Sequence, residues 1–302
     1  MPNFQIRSVA AALVLIFTSV TAAAASGATR VVYVADRSLG RVLVYPANRP
    51  NPAPVGSFSK GIVEAEGIAV AANGELYVAN GNGGNVLVYA PGQDKPIRSL
   101  TSNLNHPVNV AIDAVGNVYV AEQKPSSVVK FSMLGVPIAV YRLPNPNDPV
   151  RGVAIDARGN IFASISGIAD VYPIGLCEAV TELYEIPVGT NTPIRKFLSS
   201  NEQAFGLALD GLGRLYASDP CLNNVGVYDL PSLHRLGFWR TSGQFSVPFY
   251  LTIASGYLSV PSPGNGSNGF VTVIPIEGTE RYQTITRGLE EPVSAVVGTV
   301  PQ

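Results

Sequence analysis

This sequence predicts an all-β fold, a six-bladed β-propeller with four antiparallel strands per blade. Three observations carry the prediction. A unit of the form Gly-φ-Ala-φ-Asp-x-x-Gly-x-φ-Tyr-Val-Ala, with φ apolar, recurs along the chain. Its turn glycines Gly74, Gly116, Gly159, Gly213 and Gly256 stand 42, 43, 54 and 43 residues apart, near the roughly 40–50 residues of a four-stranded propeller blade. The chain ends each hold half of a further unit. Finally, 24 prolines and 30 glycines among 302 residues suit short strands joined by turns, and no segment shows sustained helical periodicity.

The elements follow in chain order. Residues 1–25 read as a signal peptide: a short start carrying Arg7, a charge-free run from Ser8 to Ala25, and small residues meeting the Ala-x-Ala rule at Ala22/Ala24 and Ala23/Ala25. An uncleaved anchor is the alternative, since about 18 apolar residues can just span a bilayer. The Ala-rich end makes the run weakly hydrophobic, which favours cleavage, and no cysteine stands at the junction to take a lipid. No comparable run recurs, so the expectation is a soluble, monomeric, secreted or periplasmic protein with no membrane span after cleavage.

Residues 29–302 then form one domain. Arg30-Val-Val-Tyr-Val-Ala-Asp36 matches a second strand with no first strand before it, and Pro292-Val-Ser-Ala-Val-Val-Gly298 a first strand with no second after it. Pairing the two completes a sixth blade and closes the ring, which removes exposed sheet edges. Between them, units start at Gly67, Asn109, Gly152 and Gly206, with a degenerate copy from Leu251. The first strand of a unit, such as Val110-Ala-Ile-Asp113, is apolar on both faces, as a strand at a crowded axis should be. A turn such as Asp113-Ala-Val-Gly116 follows. Its Asp bonds the backbone two residues on and its Gly takes the left-handed position, so Asp113, Asp156 and Asp210 read as structural although they recur. The second strand carries Tyr33, Tyr77, Tyr119, Phe162 or Tyr216, replaced by Ser259 in the degenerate copy. A third strand and a weaker fourth, such as Pro96–Leu100, complete the unit.

The pattern, continued by Val-φ-Val-Tyr in the third strand, resembles the NHL repeat over essentially all of residues 29–302. The resemblance implies the propeller fold and leaves function open, because NHL-like propellers include peptide-amidating lyases, streptogramin lyases, sensor ectodomains and protein- or RNA-binding modules. The related gluconolactonase-type propellers are metal-dependent lactonases. The site has to choose among these.

In a blade with strands A to D, the A–B and C–D turns lie at one end and the B–C loops and D–A crossovers at the other. Residues two positions before each inner-strand core are Glu66, Val108, Arg151, Phe205, Phe249 and Val293, and should ring the axis on the B–C/D–A face. One position before come Gly67, Asn109, Gly152, Gly206, Tyr250 and Ser294; farther out stand Glu64, His106, Gln203 and Glu291. A metal-dependent site needs several convergent carboxylates or imidazoles. The inner ring offers one acid and one base, and His106 and His234 belong to opposite ends, so no metal, no cofactor and no catalytic residue is assigned. His106 with Glu64, Glu66 or Glu291 is the pair that could act as a general base, against a plain surface histidine. Phe205, Phe249 and Tyr250 can form an apolar-aromatic wall beside Arg151 and Glu66, the usual make-up of a ligand site, or can plug the axis. Arg151 and Glu66 can also be an ion pair sealing the mouth.

The remaining signals narrow the classes. A net charge of −1 with 14% charged residues excludes a nucleic-acid footprint, which needs a clustered basic patch. No Gly-x-Ser-x-Gly elbow is present, and the glycine-rich stretches 80–85 and 263–269 lead into strands, so they are turns rather than phosphate cradles. An insert at about residues 165–179 lengthens one B–C loop and contains Cys177; the other cysteine, Cys221, sits in the next B–C loop. An exported chain with two such cysteines is expected to bridge them. Trp239 is expected to pack between blades. The expectation is a module binding a protein, peptide or small molecule on the B–C/D–A face, with a divergent lyase or lactonase as the alternative.

Overall fold

A computed structural model describes residues 28–166, 181–198, 203–240, 247–264, 269–277 and 283–301. The leader, Cys177 and residues 167–179 of the insert lie outside them. The described residues form twenty-four strands and no helix. β1 (Ala28–Asp36), β2 (Arg41–Pro46) and β3 (Gly56–Phe58) open the chain. Blade 2 holds β4 (Ala65–Val70), β5 (Leu76–Asn80), β6 (Asn85–Tyr89) and β7 (Pro96–Leu100). Blade 3 holds β8 (Pro107–Ile112), β9 (Val118–Gln123), β10 (Ser126–Phe131) and β11 (Pro137–Arg142). Blade 4 holds β12 (Val150–Ile155), β13 (Ile161–Ser166), β14 (Thr181–Ile186) and β15 (Ile194–Lys196). Blade 5 holds β16 (Leu207–Leu209), β17 (Arg214–Asp219), β18 (Asn224–Asp229) and β19 (Arg235–Arg240). Blade 6 holds β20 (Thr252–Ala254), β21 (Tyr257–Ser262), β22 (Phe270–Pro275) and β23 (Gln283–Ile285), and β24 (Pro292–Pro301) ends the chain.

Each sheet has four antiparallel strands, and the first is ordered β24-β1-β2-β3, so blade 1 takes its inner strand from the far end of the sequence. The inner strands β24, β4, β8, β12, β16 and β20 neighbour one another in a cycle around the axis. Between blades the apolar faces interlock: Tyr77, Ala79, Val86 and Val88 of blade 2 pack with Val110, Val118, Val120 and Val129 of blade 3.

Local chemistry explains why these segments repeat. In the A–B turn of blade 3, the Asp113 carboxylate accepts from the backbone N–H of Val115 and Asn117 and from the Tyr119 hydroxyl, at 3.1, 2.8 and 3.2 Å. Gly116 closes the turn at φ +89°, a conformation that penalises any Cβ. At the other end of the second strand stands a buried polar residue: Asp36, Asn80, Glu122 or Asp219. It clamps the D–A crossover by accepting from free backbone N–H groups, as Asn80 does from Val63 and Glu64 at 2.7 and 3.0 Å and Glu122 from Asn105 and His106 at 2.8 Å each. Such donors would otherwise be buried unpaired, at a cost of about 1–3 kcal/mol each. Blades 4 and 5 add a seam bond. Ser218 accepts from the Gly206 N–H at 2.7 Å and donates to the Phe249 carbonyl of the next blade at 2.8 Å; Ser164 does the same between Gly152 and Phe205. Gly206 has to be glycine here, because a Cβ would lie 2.2 Å from the Phe249 carbonyl oxygen.

Two expectations need correction. β4, β8 and β12 begin before the repeat core and carry register shifts at Ala65/Ile68, Pro107/Asn109 and Val150/Gly152. Glu66, Val108 and Arg151 therefore sit within irregular strand starts rather than ahead of the strands. Trp239 lies on the outer strand β19 with 44% of its surface exposed, so it is not buried between blades: an outermost strand has no neighbour along one edge.

Candidate functional site

The B–C/D–A face opens on a cavity of about 660 Å³ at the axis, lined by Arg37, Glu64, Glu66, His106, Lys124, Arg151, Tyr250 and a proline rim of Pro125, Pro146 and Pro149. An aromatic cluster lies behind its lining, reaching it through Tyr250. Phe205, Phe249 and Tyr250 come from the D–A crossovers of blades 5 and 6 and are at most 4% exposed. Their ring centroids are 4.7 Å apart for Phe205–Phe249 and 5.6 Å for each ring with Tyr250. Two guanidinium groups lie over this plug, Arg37 at 5.6 Å from the Phe249 centroid and Arg151 at 5.3 Å from that of Phe205. Phe205 and Phe249 lie behind the arginines, so the polar layer is what meets solvent.

The ion pair at the mouth is not between Arg151 and Glu66. Glu66 is held by Arg37, whose Nε and Nη2 donate to its two carboxylate oxygens at 2.9 Å each, while Nη1 donates to Glu291 at 3.0 Å. Burial pushes the Glu66 carboxyl up to about 7, although Arg37 pulls it down. Burial works against the Arg37 charge, but the Glu66 carboxylate more than compensates and holds its pKa above the ordinary value. Arg151 instead hydrogen-bonds Tyr250, whose hydroxyl burial and the nearby Glu66 charge push well above the ordinary phenol range. Both arginines are thus fixed by partners before any ligand arrives.

His106 stands on the blade 2–3 crossover, positioned by the Glu122 clamp on its own N–H. Its Nε2 is 4.0 Å from Glu64 Oε2, and that carboxylate also accepts from the Asn82 N–H at 3.0 Å. Burial lowers the His106 pKa and Glu64 opposes it, so the imidazole is neutral at neutral pH. Gly81 lets the pair form, since a Cβ there would be 2.5 Å from Glu64 Oε2 and 3.2 Å from His106 Cε1. No group of three or more His, Cys, Asp or Glu side chains suited to a metal occurs among the described residues.

The structure brings Glu66, Arg151, Tyr250 and His106 to one cavity and places Phe205 and Phe249 beneath it. Cys221, in the B–C loop of blade 5, has its N–H held by Asp219 at 2.9 Å. His234 lies in the C–D turn of blade 5, at the opposite end. Sequence reasoning missed Arg37 and Lys124. A signal for Arg37 exists: it immediately follows the clamp residue Asp36, as Gly81 follows Asn80 and Gln123 follows Glu122, and all three positions reach the mouth.

No protein family model and no curated protein matches the chain. Among solved structures, a protein of unknown function from Bacteroides caccae superimposes with a TM-score of 0.68 at 13% identity, over 89% of this chain and 99% of that one. At that identity the likeness shows the propeller fold alone. No described helix is long and apolar enough to cross a membrane.

Proposed function

We propose that the chain is an exported binding module built of NHL-like repeats, monomeric, whose B–C/D–A face takes a protein, peptide or small polar ligand. One observation carries this reading: a cavity of about 660 Å³ in which acids and bases are already ordered over a packed aromatic cluster. Side chains held by partners before binding lose little rotamer freedom on binding, which lowers the cost of association. Lys124→Glu, at an exposed position, and Arg151→Ala should abolish capture of the partner from native extract. Val115→Asp and Leu212→Asp, on exposed turns of the opposite face, should leave it intact. Loss of capture only from the second pair would sink the assignment.

A second reading, a divergent lyase or lactonase, is favoured by His106 and Glu64 in the same cavity, with the imidazole neutral and able to accept a proton. A lactone-hydrolysis screen of the wild type against His106→Gln separates it from binding alone. A Cys177–Cys221 bridge belongs to the exported reading and would tie the insert to the next B–C loop. Closing a loop of about 45 residues is worth on the order of 4 kcal/mol in the chain-entropy account. Titration of unfolded, unreduced protein should find no free thiol, and two would refute the bridge.

A further inference from the structure

The charges at the axial cavity divide by side. On the side of blades 1 and 2 stand three carboxylates, Glu64, Glu66 and Glu291, and one guanidinium, Arg37. Both Glu66 oxygens and Glu291 Oε1 accept from Arg37, and Glu291 Oε2 accepts from the Ser38 hydroxyl at 2.8 Å. Glu64, with 20% of its side chain exposed, keeps the most capacity. Its Oε2 accepts from the Asn82 N–H at 3.0 Å, and its Oε1 accepts no hydrogen bond among the described residues.

On the side of blades 3 and 4 the sign reverses. Lys124 stands in the B–C loop of blade 3 and Arg151 at the start of β12. Glu122 is close to Lys124, but its oxygens serve the backbone, accepting from Asn105, from His106 and from the Lys124 N–H at 2.9 Å. The Lys124 ammonium has no carboxylate within 4.0 Å among the described residues. Burial lowers the His106 pKa most, Glu64 raises it and Lys124 lowers it, so the imidazole stands in the field of both. A purely anionic ligand meets Glu64 here, and a purely cationic one meets Lys124 and Arg151. Each is disfavoured by the like charge it approaches, whereas a ligand with both signs is complementary to both sides.

We infer that the axial cavity takes a small zwitterion, an amino acid or short peptide with both ends free, its ammonium on Glu64 and its carboxylate on Lys124 and Arg151. The inference rests on the reading of this cavity as the binding site and names its ligand class. Pro125, Pro146 and Pro149 on the rim have no N–H to donate, so they give the ligand's carbon skeleton an apolar edge. The volume of about 660 Å³ lies within the roughly 300–1,000 Å³ of small-ligand pockets.

Calorimetric titration of the full chain with alanine, Ala-Ala and Ala-Ala-Ala, and with the N-acetylated and the C-amidated form of each, tests it. At least one zwitterion should bind, and which of the three binds tightest separates an amino acid from a peptide. Capping either end of that ligand should weaken it about tenfold, the worth of one charged hydrogen bond. Lys124→Glu, at an exposed position, should reverse the order, so that the C-amidated form binds more tightly than the zwitterion. Glu64→Gln, which can still accept from Asn82, should bind the N-acetylated form as tightly as the zwitterion. No binding of any zwitterion at millimolar concentration, a capped form bound as tightly as its zwitterion by the wild type, or an unchanged order in Lys124→Glu would each overturn the assignment. Capture from native extract lost in Lys124→Glu and Arg151→Ala, with no zwitterion bound by the wild type, would leave the binding reading standing and remove this one. Capture unchanged in both variants, again with no zwitterion bound, would remove both.

Discussion

At the residue scale, Glu66 shows what happens when a carboxylate is placed on the axis of a closed ring. Water is excluded from it, so burial raises its pKa to about 7 despite two hydrogen bonds from Arg37. The folded protein therefore holds a proton that the unfolded chain, with an ordinary carboxylate, has released between about pH 4.5 and 7. Stability should fall as pH rises through that window, because the native state binds more protons there. Glu66→Gln lacks this term, so the difference in melting temperature between wild type and variant should change across pH 4.5 to 7 and be flat below it. A constant difference over the whole range would mean that Glu66 stays ionised in the folded protein. Beneath it, Phe249 contacts two further rings and is 4% exposed, so Phe249→Ala should cost roughly 3–5 kcal/mol of stability in chemical denaturation. Glu66 and the three aromatics were legible from their offset to each inner strand. Arg37 was not, because that offset says nothing about residues arriving from a B–C loop, and the Arg151–Glu66 pairing failed for the same reason.

At the element scale, the repeat is read correctly where a residue is dictated by its own turn. Asp113 and Gly116 are fixed by local backbone geometry, one as acceptor and the other as the residue that tolerates φ +89°. Gly116→Ala should destabilise by about 1–2 kcal/mol for that reason alone. Residues that act between blades carry no such local mark. Ser218 follows Ala217 in a plain strand pattern, yet its hydroxyl links the Gly206 N–H to the carbonyl of Phe249 in the next blade. Ser218→Ala would leave two buried backbone groups short of a partner, at about 1–3 kcal/mol each. Denaturation of Ser218→Ala and Ser218→Thr compares the loss of the hydroxyl with its retention, and only the alanine variant should lose the seam bond. The strand starts were misjudged on the same principle. The register shifts in β4, β8 and β12 answer to crowding at the axis, which a single repeat does not display.

At the scale of the whole molecule, the likeness to a structure sharing 13% of its residues shows how little of the sequence the ring constrains. In this chain the ring is closed by the pairing of its ends, because blade 1 is built from distant segments. β24 pairs with β1 from Ala28↔Pro301 to Asp36↔Pro292, and it lies against β4, β20 and β21 as well. Its Val293, Val296 and Val297 are at most 1% exposed. Burying a valine fully is worth about 1.5–3 kcal/mol, so these three alone contribute about 5–9 kcal/mol, comparable to the whole stability of about 5–15 kcal/mol of an ordinary domain. Deleting residues 290–302 should therefore abolish the cooperative thermal transition rather than shift it. The truncation also removes Glu291 from Arg37 and exposes the edge of β1, so the shortened chain should aggregate. A synthetic peptide of residues 290–302 added in trans should restore the transition by supplying the missing strand to that edge. A truncated chain that melts cooperatively at the wild-type temperature would show that the five remaining blades hold the ring without its closing strand.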